Sequence, residues 1–254
     1  MTSDEFRAVP LSPRFTVHRR AGRTARRVRL LAGTSDWRRD LLDRLGAAAL
    51  TIGGTSPWRA ARPWPWPTIS PAGLIEGLDL PGLRLLAAAA PRQEGRPRLS
   101  ILAESGDDQV VIKLGTPDDG LENEAAALSL LTRDPLPGIA TPSVVAAGRL
   151  DTEEPVAFLV TTALGLDGQR PALDEPLRTF EADLAERLGS LPRPVGTDAA
   201  SVPLHGDLTP WNLRRTEQGL ALFDWEAAGW GVPGSDLEHY RQACASLRRP
   251  RRLR

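Results

Sequence analysis

Lysine is almost absent from this sequence. Lysine and arginine together number 32, and the only lysine among them is Lys113. The two side chains are not interchangeable, because lysine carries a compact point charge and tolerates burial on an apolar strand when a carboxylate orients it. All the remaining residues of these two types are arginines. The one lysine that is kept, Lys113, is therefore a candidate binding residue. The alternative is a lysine at a strand end with its charge in solvent.

Other absences narrow the class of protein. The one cysteine, Cys244, excludes an internal disulfide framework and a cysteine-based metal site. Acidic and basic residues cancel at 32 each, which argues against a nucleic-acid partner and against a charged membrane surface. No uncharged apolar run approaches the roughly 18 to 20 residues of a membrane helix, and the N-terminus carries Asp4 and Glu5 instead of a signal peptide. The sequence predicts a soluble, cytoplasmic protein without a membrane partner.

The first third of the chain is rich in arginine, proline and tryptophan. Residues 1–26 hold few large apolar groups, which predicts a basic flexible arm, with phosphate binding by the arm as the alternative. An apolar stripe over 35–46, with Ser35 as N-cap, predicts a helix. The prolines of 56–67 exclude a long helix there. The indoles of that segment are expected to cover a core, and a ligand-facing platform is the alternative.

The middle of the chain alternates strand and helix patterns. A turn at 106–108 is predicted to join two strands. Strong helix formers over 121–131 predict a helix that carries Glu122 and Glu124 on different faces. The predicted strands are 81–90, 98–103, 109–114, 142–150 and 155–161.

The chemistry is concentrated near the C-terminal end. Asp207, Asn212 and Asp224 stand at fixed offsets between short apolar runs that predict two strands and a turn. Hard cations prefer oxygen ligands, and these side chains supply them. The segment is therefore a candidate metal site, and the alternative is a buried polar turn between two strands.

The order His205-Gly-Asp207, then Asn212, then a strand that ends in Asp224-Trp-Glu226 resembles the phosphotransfer site of a known family. The family is that of aminoglycoside phosphotransferases and choline kinases, which are relatives of protein kinases. The resemblance implies an α+β, two-lobed protein-kinase-like fold, with a small antiparallel β-sheet lobe and a mainly helical lobe. The helical lobe is expected to be compact, because the interval before His205 is short.

The resemblance also implies a division of the chain. Residues 27–95 are expected to form an N-terminal extension that packs on the small lobe. Residues 96–163 are expected to form the N-lobe with Lys113 and Glu124, and residues 164–254 the C-lobe with the catalytic and metal loops.

Roles in catalysis and metal binding follow from the same resemblance. Asp207 is expected to accept or orient the proton of an acceptor hydroxyl. Asn212 and Asp224 are expected to hold Mg²⁺. Structural support is expected from three further residues, His205, Glu226 and Asp236.

The nucleotide is expected to bind through the small lobe and the hinge. Lys113 would position the α- and β-phosphates of ATP with Glu124 as its partner, and Glu122 is the competing carboxylate. The hinge near Thr162 and Leu164 would meet the adenine. Cys244 has no neighbour that indicates a nucleophile, and His239 and Tyr240 are interpreted as ordinary helix residues.

The resemblance implies an ATP-dependent phosphotransferase that uses Mg²⁺ and transfers the γ-phosphate to a hydroxyl of a small molecule. Amino sugars, aminoglycoside-like compounds and other natural-product alcohols are all open as acceptors. The alternative is a catalytically weak or inactive kinase-like nucleotide-binding or interaction module. The single glycine in the turn at 106–108 and the short helical lobe support that alternative, whereas the full set of metal and phosphate residues argues against it. The sequence does not determine the oligomeric state.

Overall fold

The computed structural model describes residues 6–9, 12–18, 64, 66, 68–89, 98–164 and 170–248. The chain divides into two compact units, of which the first comprises Met1–Leu121 with Val145–Ala163. The second comprises Glu122–Val144 with Leu164–Arg254. The predicted helix at 35–46 and the expected boundaries at residues 26 and 95 lie outside the described residues. Residues 122–133, which include Glu124, are grouped with the second unit.

The described residues form short strands and four α-helices. The strands are β1 Phe6–Val9, β2 Ser12–His18, β3 Arg84–Ala89, β4 Leu99–Ser105, β5 Asp108–Gly115, β6 Ile139–Ala140, β7 Val144–Leu150, β8 Val156–Thr162, β9 Arg170–Pro171, β10 Val202–Leu204, β11 Leu213–Thr216, β12 Gly219–Leu222 and β13 Gly229–Gly231. The helices are α1 Pro71–Leu78, α2 Leu121–Arg133, α3 Phe180–Leu188 and α4 Ser235–Arg248, with a 3-10 turn at Trp225–Ala227.

The first unit is built on a seven-stranded sheet, counted over the described residues, in the order β1-β2-β3-β4-β5-β8-β7. The pairs from β1 to β8 in this order are antiparallel. The predicted hairpin joins β4 to β5, and Gly106 at its turn has a φ of 61°, which glycine adopts without strain. Fully buried Ile101 and Ile112 are cross-strand partners on β4 and β5 and belong to the core of this unit.

The structure places β1 and β2 in the sheet, where the sequence predicts a flexible arm. The main chain of β2 pairs with β3, and Phe6 on β1 is fully buried. The ring of Phe6 lies 5.0 Å from that of Trp64. These strands are ordered by main-chain pairing and by one apolar anchor, which outweigh the polar composition around them.

The tryptophan-rich segment is described at Trp64 and Trp66. Both side chains are buried, with 8% and 6% exposure, in the core of the first unit. This favours indoles that cover the core over a ligand-facing platform. Helix α1 follows and was not predicted from the sequence; its N-cap, Ser70, accepts a hydrogen bond from the Gly73 amide at 3.0 Å. Leu74 of α1 is fully buried.

The second unit combines helices α2, α3 and α4 with short strands. Strands β11 and β12 form an antiparallel hairpin, flanked by β9 and by the parallel strand β6. Its core includes the fully buried side chains of Leu128, Leu184, Leu208 and Trp225. The predicted fold class, α+β with an antiparallel sheet and a mainly helical part, is confirmed. Among the described residues, no helix is long and apolar enough to cross a membrane.

Candidate functional site

The candidate site begins where β10 ends. Strand β10 pairs with β13, and the chain then turns through His205 and Gly206 into the loop that carries Asp207. Gly206 has a φ of 83°, and a Cβ atom there would lie 2.1 Å from the carbonyl oxygen of Ala227. Only glycine fits both this left-handed backbone and this close approach. The glycine therefore lets the loop pack against the 3-10 turn.

His205 joins the loop to the end of β12. Its ring is fully buried and packs against Trp225, with 4.6 Å between ring centroids. Nδ1 accepts a hydrogen bond from the Asp207 amide at 3.2 Å. Nε2, 3.0 Å from the Phe223 carbonyl oxygen, is then the nitrogen that carries the proton and donates. The predicted supporting residue thus lies between Asp207 and the strand that leads to Asp224.

Asp236, in the first turn of α4, holds the same loop from behind. Its carboxylate is 3% exposed and accepts hydrogen bonds from the amides of His205, at 2.6 Å, and Gly206, at 3.0 Å. Burial raises the pKa of Asp236, and the two amide donors act in the opposite direction. The geometry brings Asp236 to the adjacent residues His205 and Gly206, which lie 31 and 30 positions earlier in the sequence.

Asp207 presents its two oxygens to different neighbours. Oδ2 accepts a hydrogen bond from Asn212 Nδ2 at 2.9 Å, and the same amide donates to the Asp207 carbonyl oxygen at 2.9 Å. Oδ1 lies 3.8 Å from Nδ1 of His239. Burial raises the pKa of Asp207; His239 opposes that rise, Asp224 adds to it, and Asn212 again opposes it. The side chain is 45% exposed, so a substrate can reach it.

His239 is the residue at this site that the sequence pattern does not reveal. The sequence interpretation treats it as an ordinary helix residue. It stands one helical turn after Asp236 on α4, at the i+3 spacing that places two side chains on one helix face. That spacing from a supporting aspartate is the signal that could have identified it.

Three carboxylates form a candidate metal site within the second unit. Ligand atoms of Glu124, Asp224 and Glu226 all lie within 4.8 Å of one another. Glu124 is 2% exposed and accepts a hydrogen bond from the Trp225 amide at 3.4 Å. Oxygen-rich groups of this kind fit a hard divalent cation such as Mg²⁺. Asn212, the other predicted ligand, uses its Nδ2 on Asp207, so its Oδ1 is the atom that could reach an ion.

Two details of this group bear on the sequence predictions. Glu122 is exposed whereas Glu124 is buried beside Asp224, which favours Glu124 as the functional carboxylate of α2. Asp224 has a φ of 66°, an uncommon conformation for a residue other than glycine. Such an outlier marks a position where the surroundings determine the backbone.

The predicted nucleotide residues lie at the strands of the first unit and just after them. Lys113 is half-buried on β5, where its cross-strand partners are Ser100 on β4 and Leu159 on β8. Thr162 ends β8, and Leu164 follows in the second unit; both are half-buried. Their contact with a nucleotide, and the pairing of Lys113 with Glu124, stay predictions.

A cavity of about 750 Å³ lies elsewhere in the second unit, between residues 174–178 and α4. Its lining includes Tyr240 and Cys244 but not Asp207. Burial raises the pKa of the Cys244 thiol, which disfavours the thiolate that a nucleophile requires.

Comparison with known proteins gives one family match, which lies in the C-terminal part of the chain. Residues 166–249 match the model of a family described as the phosphotransferase enzyme family. The matched segment contains Asp207, Asn212 and Asp224. The resemblance to phosphotransferases of the aminoglycoside phosphotransferase and choline kinase family is therefore confirmed for this part of the chain. No curated protein matches the chain.

Solved structures with a similar backbone are kinases and phosphotransferases. A microcompartment-associated aminopropanol kinase is 16% identical, with a TM-score of 0.46, over 65% of this chain and 71% of its own. An aminoglycoside-3'-phosphotransferase of type VIII is 21% identical, with a TM-score of 0.42, over 65% and 79%. A spectinomycin phosphotransferase in complex with ADP and spectinomycin is 12% identical, with a TM-score of 0.43, over 65% and 71%. Because these TM-scores lie below 0.5, nothing about the substrate of this chain follows from them.

Proposed function

We propose that this chain is an ATP-dependent phosphotransferase that transfers the γ-phosphate to a hydroxyl of a small molecule. One observation carries the proposal. The exposed carboxylate of Asp207 is oriented by Asn212, and the oxygen-rich group of Glu124, Asp224 and Glu226 belongs to the same unit. The family match over residues 166–249 supports the same reaction class.

Phosphoryl transfer requires mainly positioning and charge neutralisation. Asp207 accepts the proton of the acceptor hydroxyl. The acceptor oxygen forms a bond to the γ-phosphorus, and the bond from that phosphorus to the bridging oxygen breaks. ADP leaves with the electron pair. Asp236 and His205 support this step by fixing the main chain on which Asp207 stands.

Mg²⁺, when bound, supplies positive charge that neutralises the phosphates. The ion would be held by side-chain oxygen atoms, which hard cations prefer. The residues that carry them are Glu124, Asp224 and Glu226, together with the predicted ligand Asn212. Glu124 would then serve the metal site directly, a role beyond the predicted pairing with lysine.

The nucleotide contacts follow the resemblance. Lys113 would bring its charge to the α- and β-phosphates, since a lysine on a sheet strand suits a compact anionic group. Thr162 and Leu164 would meet the adenine. ATP is the proposed donor, and amino sugars, aminoglycoside-like compounds and other natural-product alcohols are the proposed acceptors.

The test is nucleotide consumption by the purified full chain. ADP formation is measured from ATP with Mg²⁺, with and without a chelator, over a panel of amino alcohols, amino sugars and aminoglycosides. We expect Mg²⁺-dependent turnover with at least one acceptor. Asp207→Ala should lower that turnover by roughly 10² to 10⁴ fold while ATP binding survives.

Glu217→Ala is the matched control, because Glu217 is an exposed acid between β11 and β12. It should leave turnover unchanged. An Asp207→Ala variant as active as the wild type would refute the assigned role. Magnesium-dependent ATP binding without turnover on any acceptor would favour the nucleotide-binding module instead.

A further inference from the structure

We propose that Asp207 Oδ1 and His239 Nδ1 together bind the acceptor hydroxyl, which makes His239 a second acceptor-binding residue beside Asp207. The inference rests on the proposed function and deepens it. It assigns the acceptor side of the site to one face of helix α4, which the sequence pattern does not associate with chemistry.

The two oxygens of Asp207 are not equivalent. Oδ2 is occupied by the Asn212 amide at 2.9 Å, so Oδ1 is the oxygen that remains for the acceptor. The His239 Nδ1 atom lies 3.8 Å from Oδ1. A direct hydrogen bond between nitrogen and oxygen spans roughly 2.7 to 3.2 Å, so this separation is too long for one. A separation of this length lets a third oxygen atom form a hydrogen bond with each of the two atoms.

Both side chains are accessible to such an oxygen. The side chain of His239 is 48% exposed and that of Asp207 is 45% exposed. A hydroxyl can donate its hydrogen to Oδ1 and accept a hydrogen bond from Nδ1 when that nitrogen carries a proton. The acceptor oxygen would then be fixed at two points while its proton faces Asp207.

Helix α4 makes the arrangement precise. Asp236 on the first turn holds the main chain of His205 and Gly206, and His239 lies one turn further along the same helix. One rigid element thus positions both the loop main chain and the imidazole that lies beside Asp207. Groups held on a helix are placed more exactly than groups on a loop.

Turnover kinetics distinguish acceptor binding by His239 from general structural support. His239→Leu removes the polar ring, and His239→Gln restores a side-chain donor. We expect His239→Leu to lower kcat/KM for the acceptor roughly two- to tenfold, the worth of one hydrogen bond between neutral groups. The KM for ATP should stay within about twofold, since the role proposed for the pair is to bind the acceptor. His239→Gln should recover part of the loss.

Glu238→Gln is the matched control, because Glu238 is the exposed neighbour of His239 on the same helix. It should behave as the wild type. A His239→Leu variant with wild-type kcat/KM would overturn the inference. A KM for ATP that rises as much as the KM for the acceptor, with no recovery in His239→Gln, would also overturn it, because such a rise indicates a structural role.

A spectroscopic measurement separates this inference from the proposed function. The imidazole nitrogen resonances of His239, assigned by their loss in His239→Leu, are recorded in the unliganded protein with and without Asp207→Asn at one pH. We expect them to shift in Asp207→Asn and to stay in place in Glu238→Gln. Unmoved resonances would overturn the pairing even in an active enzyme. Absence of turnover by the wild type over the whole acceptor panel would count against the proposed function.

Discussion

Replacement of Asp236 by asparagine tests the link between helix α4 and the loop that carries Asp207. The carboxylate accepts from two main-chain amides, those of His205 at 2.6 Å and Gly206 at 3.0 Å. Asparagine keeps one accepting oxygen and places an amide group where the other oxygen was. One buried amide of the loop then loses its acceptor.

The expected loss in the free energy of unfolding follows from these two hydrogen bonds. An orphaned buried amide costs about 1–3 kcal/mol, and the remaining bond weakens by about 1 kcal/mol when its acceptor loses its charge. Burial disfavours the charged carboxylate of Asp236 and so raises its pKa. Because asparagine carries no charge, the substitution removes this unfavourable contribution and offsets part of the lost stability. We expect the free energy of unfolding to fall by about 2–3 kcal/mol. Turnover should fall by up to about 10² fold, because a shift of about 1 Å in a catalytic group has that effect.

Amide hydrogen exchange, followed in the peptide that covers residues 202–208, measures the loss of these hydrogen bonds directly. Protection of the His205 and Gly206 amides should fall in Asp236→Asn, whereas a peptide from β4 in the first unit should keep its protection. Glu238→Gln, two residues further along α4, serves as the control. Wild-type exchange over 202–208 together with wild-type turnover in Asp236→Asn would refute the reasoning.

Four further variants test other parts of the structure. Gly206→Ala places a Cβ atom 2.1 Å from the Ala227 carbonyl oxygen and should abolish turnover, whereas Gly138→Ala, at a φ of 69° with open space around it, should cost only about 1–2 kcal/mol and keep turnover. Tyr240→Phe bears on alkaline stability. Burial raises the pKa of Tyr240 to about 12 from its ordinary 10.0, so the folded chain keeps a proton that the unfolded chain releases. Wild-type stability should therefore fall by on the order of 2 kcal/mol between pH 10 and 12 in denaturant titrations, and a similar fall in the variant would contradict this. Leu74→Ala, in the core of the first unit, should lower the free energy of unfolding by about 2–5 kcal/mol, and an unchanged melting temperature would argue against that packing.

Elements with strong local patterns were predictable from the sequence. The hairpin of β4 and β5 follows from two apolar runs around a glycine turn, and helix α2 from a run of strong helix formers. The offsets among Asp207, Asn212 and Asp224 likewise indicate a common site from the sequence alone, and the roles of these residues stay predictions. These signals depend on neighbours along the chain, so the order of residues contains them.

Features that depend on distant pairing were not predictable. Strands β1 and β2 join the sheet because β2 pairs with β3 across a long stretch of chain. Helix α1 is too short for its periodicity to stand out beside a proline-rich segment. The burial that stabilises these elements comes from partners that no local window contains.

For this protein, the sequence by itself determined the candidate catalytic residue, the oxygen-bearing metal candidates and the class of chemistry, because the spacing of Asp207, Asn212 and Asp224 is local. Only the tertiary structure decided that His239 faces Asp207 and that Glu124 joins Asp224. The first of these contacts depends on where α4 packs, and the second on which face of α2 is buried. Sequence distance hides both, because a folded chain brings residues together through burial and hydrogen bonding of elements that are far apart along it.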